Sequence, residues 1–82
     1  MPKVNLSRSD VAEMVERYLE KHQPAGYRIM IERAGIREDE DGWWEVPISP
    51  SKSGVPSYDW IGRSAEAAGE IDEAEGVHVL FV

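Results

Sequence analysis

Two tryptophans stand side by side, Trp43 and Trp44, within Gly42-Trp43-Trp44-Glu45-Val46-Pro47-Ile48. The segment reads as a β-strand, and successive side chains of a strand point to opposite faces of the sheet. One indole can enter a core, and its neighbour must then look out of the other face. A Trp carries roughly 150–250 Å² of burial, so the outward ring needs cover, a partner or a ligand.

The rest of the chain places that strand in a small α+β unit. Leu6-Ser7-Arg8-Ser9-Asp10-Val11 is a helix start, with Ser7 as N-cap, Asp10 at N3 and Leu6 stapling onto Val11. Val11, Met14, Val15, Tyr18 and Leu19 form one apolar face, and Pro24 and Gly26 end the helix near His22. Tyr27 to Arg33 is a first strand. Glu38 to Gly42 is an acidic turn leading to the tryptophan strand. Setting Ile29 opposite Val46 aligns Tyr27 with Ile48 and Ile31 with Trp44, so one face is wholly apolar. Ser49 to Ser57 is a loop by composition. Ser57 then caps a second helix whose apolar stripe is Tyr58, Ile61, Ala65, Ala68 and Ile71, with Gly69 or Gly76 as its end. Val77 to Val82 is a third strand.

The order is α-β-β-α-β in one domain, residues 1–82. The economical arrangement is an α+β two-layer sandwich in which two helices cover one face of a three-stranded, mostly antiparallel sheet. Pro47 cannot donate to a ladder, which puts its strand at an edge and implies the spatial order 2-1-3. The inner face then carries Ile29, Trp44, Val46 and Val79. The outer face carries Met30, Trp43, Glu45, His78 and Leu80, an apolar centre within a polar rim, which is the anatomy of a contact surface.

Net charge is −7, and it is unevenly distributed: residues 1–37 hold 7 basic and 5 acidic side chains, residues 38–82 hold 2 and 11. An acidic surface repels phosphate backbones, which disfavours direct nucleic-acid binding. With no Cys there is no disulfide, thiolate nucleophile or Cys metal cage. The opening residues lack an apolar leader and no run approaches the roughly 18 residues of a membrane span, so a soluble cytoplasmic protein is expected. Asn5-Leu6-Ser7 matches a glycosylation acceptor by chance. Glu66, Glu70, Asp72, Glu73 and Glu75 crowd the end of the second helix, where acids oppose the helix dipole. Such a patch fits a basic partner, or compensation from Arg8, Arg17 and Lys21 on the first helix.

Catalytic and metal motifs do not survive inspection. With Gly42 at the sixth place of a calcium loop, Arg37 falls at the first and Ile48 at the twelfth, where oxygen ligands are required. Ser49-Pro50-Ser51-Lys52 has the spacing of some acylating hydrolases but lacks their helix start and companion motifs. Ser-Lys-Ser-Gly in the same loop is not a phosphate-binding loop. His22 and His78 lie far apart in sequence, so neither metal nor cofactor is expected. The segment Tyr27 to Ile48, with its Asp41-Gly42-Trp43 turn and Pro-containing strand, resembles the first hairpin of HicB-type antitoxins. The leading helix and the lack of a Pro-Gly-Cys segment depart from that pattern, and no residue role carries over.

The expectation is a non-enzymatic interaction module that binds a protein partner or a second copy through the outer face around Met30, Trp43, Glu45, His78 and Leu80. The rivals are a small-ligand or enzyme subunit with a His78/Glu45/Trp43 cleft, and an acidic antitoxin-like or inhibitor-like regulator docking through the second helix.

Overall fold

A computed structural model describes residues 6–82, so the Asn5 glycosylation acceptor lies outside the described residues. The elements are α1 (Arg8–Glu20), β1 (Ile29–Ile31), a 3-10 turn (Arg33–Gly35), β2 (Arg37–Glu38), β3 (Trp44–Val46), β4 (Ile48–Pro50), α2 (Ser57–Glu75) and β5 (Val79–Phe81). The α+β class holds. The strands form two sheets, β1-β4 and β2-β3-β5, rather than one three-stranded sheet in the order 2-1-3. β1 pairs antiparallel with β4 and β2 with β3, whereas β3 and β5 run parallel.

The tryptophan strand therefore lies between neighbours and is not an edge. Its two halves, β3 and β4, flank Pro47. Trp44 N–H donates to His78 O at 2.9 Å and Ile48 N–H to Val82 O at 3.0 Å, while Val46 O accepts from Val82 N–H at 3.0 Å. The backbone groups of residues 44, 46 and 48 thus face β5, and by alternation those of 45, 47 and 49 face β1 and β2. The donor that Pro47 lacks would have pointed at the chain between β1 and β2. There the partner leaves the ladder in the 3-10 turn, and Glu32 N–H donates to Pro47 O at 3.0 Å just before it does so. No donor is demanded where none exists. Gly35 makes the fit, since a Cβ there would stand 2.7 Å from Pro47 Cγ.

Register differs from the expected one. Ile31 opposes Ile48 and Ile29 opposes Pro50, a slip of four residues from the alignment of Ile29 with Val46. Four is even, so every side chain keeps its face. Ile29, Trp44, Val46 and Val79 are buried, while Met30, Trp43, His78 and Leu80 are exposed.

Ser7 caps α1 as the sequence implies: its Oγ accepts from Asp10 N–H at 3.1 Å, and its own N–H donates to Asp10 Oδ2 at 2.9 Å. α2 is one helix through Gly69 and ends at Gly76, whose φ of 68° is the left-handed conformation glycine adopts readily. A mid-helix Gly costs about 1 kcal/mol relative to Ala, too little to break a helix held by packing. Ser57 is not the cap of α2: Pro56 occupies that position, and no side chain caps the helix.

α2 is also rotated relative to its expected stripe. The buried positions are Ser64, Ala67 and Ile71, with Trp60 packed beside them, whereas Tyr58, Ile61 and Ala65 are exposed. These inward residues join Val11, Val15 and Leu19 of α1 and the buried sheet residues in one core. At its first residue the outer margin of β1 is closed by a side chain. Gln23 Oε1 accepts from Ile29 N–H at 2.8 Å and Gln23 Nε2 donates to Ile29 O at 3.1 Å, standing in for a neighbouring strand.

Gly35→Ala is expected to destabilise the fold by about 1–3 kcal/mol through overpacking. Much of that loss should disappear in the Pro47→Ala background, where the atom met by the new Cβ is gone. Urea unfolding of the four variants of this double-mutant cycle measures the coupling, and an unchanged loss in both backgrounds would refute the fit.

Candidate functional site

The outer sheet face does not gather the expected residues into one strip. Trp43 stacks on His78, with ring centroids 4.9 Å apart and planes 26° from parallel. The turn places it there: Asp39 Oδ1 accepts from Asp41 N–H at 2.8 Å and from Trp43 N–H at 3.0 Å, while Asp39 N–H donates to Trp43 O at 2.8 Å. His78 Nδ1 lies 3.1 Å from Asp72 Oδ1 at the end of α2. Leu80 follows on the same face, opposite Glu45. Met30 opposes Ser49, and the slip of four residues carries it about 20 Å along the strand from Trp43. Glu45 is only partly exposed and accepts from Arg37 Nε at 2.8 Å on the β2 side. The carboxylate of Glu45 and the imidazole of His78 are thus drawn to opposite flanks of β3, and a cleft formed by His78, Glu45 and Trp43 is not assembled.

The acidic end of α2 is largely answered from within the molecule. Glu75 accepts from Tyr18 Oη at 2.8 Å, a bond that raises the Tyr18 hydroxyl above its ordinary range, and lies 3.9 Å from Arg17. Glu70 meets His22 at 3.0 Å, and Asp72 takes His78. Glu66 and Glu73 are exposed. Among the described residues no three His, Asp or Glu side chains are grouped to hold a metal ion, and no helix is long and apolar enough to cross a membrane.

A polar hollow of about 450 Å³ lies where α1 ends against the start of α2, lined by Lys21, His22, Asp59 and Arg63 among others. Its floor is a clamp. Tyr27 Oη donates to Asp59, Arg63 Nε donates to both Asp59 oxygens at 3.3 Å, and Arg63 Nη1 donates to His22 O at 3.1 Å. The Tyr27 hydroxyl, with help from Arg63, holds the Asp59 carboxyl below its usual range. Desolvation and the Asp59 bond push Tyr27 up.

The larger feature is apolar, and the sequence did not mark it as a site. A groove of about 540 Å³ runs between α2 and β5, with Ile61, Ala65 and Ala68 on one wall and Val79, Leu80 and Phe81 on the other. Trp60 and Val82 also line it. Ile61, Leu80 and Val82 are 52%, 48% and 59% exposed. The helix wall is the stripe that periodicity assigns to the core. The strand wall is the margin of β5 left unpaired among the described residues, which ends the sheet order β2-β3-β5.

Comparison with protein-family models, curated proteins and solved structures finds no match to this chain. The likeness of the hairpin to HicB-type antitoxins therefore assigns nothing.

Two outcomes are expected. Trp44→Ala should lose about 3–5 kcal/mol, as large-to-small core changes do. Trp43→Ala should lose less, the stack of about 0.5–1.5 kcal/mol and the partial burial of a ring that is 40% exposed; equal losses on chemical denaturation would refute the division of the two rings between faces. For the clamp, the lowered carboxyl of Asp59 contributes stability above its unfolded value of 3.8, and this contribution is lost as pH falls through the lower folded value. Tyr27→Phe should flatten the acid limb of the stability–pH curve, and an unchanged limb would exclude the hydroxyl as the cause.

Proposed function

We propose that this chain is a non-enzymatic protein-interaction module. Its contact surface is the groove between α2 and β5, with Leu80 and the Trp43–His78 stack beside it on the outer sheet face. One observation carries the reading: an apolar helix stripe left outside the core meets an uncharged, unpaired strand edge in a single open groove. Unpaired backbone groups along a strand recruit another strand, and flanking apolar pockets select its side chains.

An aqueous role for the same groove has little physical basis. Exposed apolar side chains contribute nothing in water, and about 25 cal/mol per Å² is gained when such area is covered. A catalytic role needs convergent acid–base groups within reach of one reacting atom. His78 and Glu45, the polar pair of the expected cleft, are engaged by Asp72 and Arg37 instead.

The test is photo-crosslinking in cells that express the chain, with a photoreactive amino acid at position 61 and, as a control, at the equally exposed position 30. Position 61 should give a discrete adduct of defined mass that position 30 does not. The same diffuse products from both positions, or none from position 61, would overturn the reading.

A further inference from the structure

We infer that the occupant of the groove is a second copy of this chain, its β5 lying antiparallel to the first across a two-fold axis at Leu80; this rests on the groove being the contact surface. The backbone of β5 is laid out for it. His78 O, Val82 N–H and Val82 O bond to the β3–β4 strand. By alternation the N–H and C=O groups of Val79 and Phe81 point to the free margin. They flank Leu80 symmetrically. An antiparallel copy sets each Val79 opposite the other chain's Phe81 as a pair exchanging both bonds, with the two Leu80 residues meeting as the close, non-bonded pair on the outer face. The two sheets of three strands become one, running β2-β3-β5 and then β5-β3-β2 of the second copy.

Shape and charge agree with this occupant. The groove accepts an uncharged, apolar strand with a free edge, and Val77 to Val82 is such a strand, carrying no Lys, Arg, Asp or Glu. The two-fold also sets the α2 helices side by side and antiparallel. Packed helices approach to about 8 Å where the facing side chains are small, and Ala65 and Ala68 line that wall. The antiparallel arrangement brings the end bearing Asp72, Glu73 and Glu75 towards the other helix's positive N-terminal end, which favours acids. A standard interface buries about 800 Å² per partner, about 15% of the 5405 Å² surface. The exposed Ile61, Leu80 and Val82 of the groove contribute to that area.

The experiment measures the mass of the purified full chain by light scattering and sedimentation from micromolar to millimolar concentration. The wild type should pass from monomer to dimer. Ala65→Glu adds a carboxylate to each face at the helix contact, and like charges in apposition should raise the dissociation constant by about tenfold or more. Ala65→Lys should weaken self-association likewise, and an equimolar mixture of the two variants should recover the dimer. Circular dichroism and thermal unfolding confirm that each variant folds. A wild type that stays monomeric throughout, an Ala65→Glu chain that dimerises undiminished, or a mixture that stays monomeric would overturn the second-copy assignment. If the wild type is monomeric while position 61 still crosslinks discretely to a different protein, this inference falls and the groove as contact surface stands.

Discussion

A proline in a strand with neighbours on both sides must face a place where no ladder bond is required, and the architecture follows from how that condition is met at Pro47. The chain opposite turns aside for the three residues Arg33 to Gly35 and then resumes pairing. The diversion divides the strands into two short sheets and brings Ile36 into the core. It depends on the absence of a side chain at Gly35, so proline and glycine form a matched pair across the break. With the tryptophan strand held centrally, β5 can pair with its other side, and the α2 crossover then lies against the edge that β5 creates.

The faces were legible in the sequence, and the neighbours were not. The alternation that sends Trp43 out and Trp44 in is a local property of extended backbone, so it survived a slip of four residues in register. The α1 cap was equally local, since Ser7 and Asp10 interact within one turn. Pro47 misled because the rule that confines proline to edges treats the partner strand as regular. The sequence does contain Gly35, which marks an irregularity, but a bend at Gly35 matters only once it is known to lie opposite Pro47.

The groove was hidden for a related reason. Helix periodicity finds an apolar stripe but cannot say which of two stripes faces inward. In α2 the residues Trp60, Ser64, Ala67 and Ile71 compete with Tyr58, Ile61, Ala65 and Ala68, and Ser64 looks a poor core residue until its hydroxyl is seen donating to Trp60 O within the helix. Leu80 was read as exposed from alternation alone. Periodicity assigns its neighbour across the groove, Ile61, to the interior, so the sequence alone does not bring the two together. The acidic crowd on α2 was legible as a feature, yet Tyr18 and His22, which meet Glu75 and Glu70, needed the packing of the two helices to be recognised as its partners.

The Gln23 amide, by occupying both backbone groups of Ile29, blunts the start of β1, whereas β5 keeps a receptive margin. A margin that matches itself across a two-fold axis is consumed by a single union. Growth into fibres, the usual hazard of an uncharged border strand, needs two such margins. One glutamine side chain thus takes the first residue of the β1 border out of such pairing.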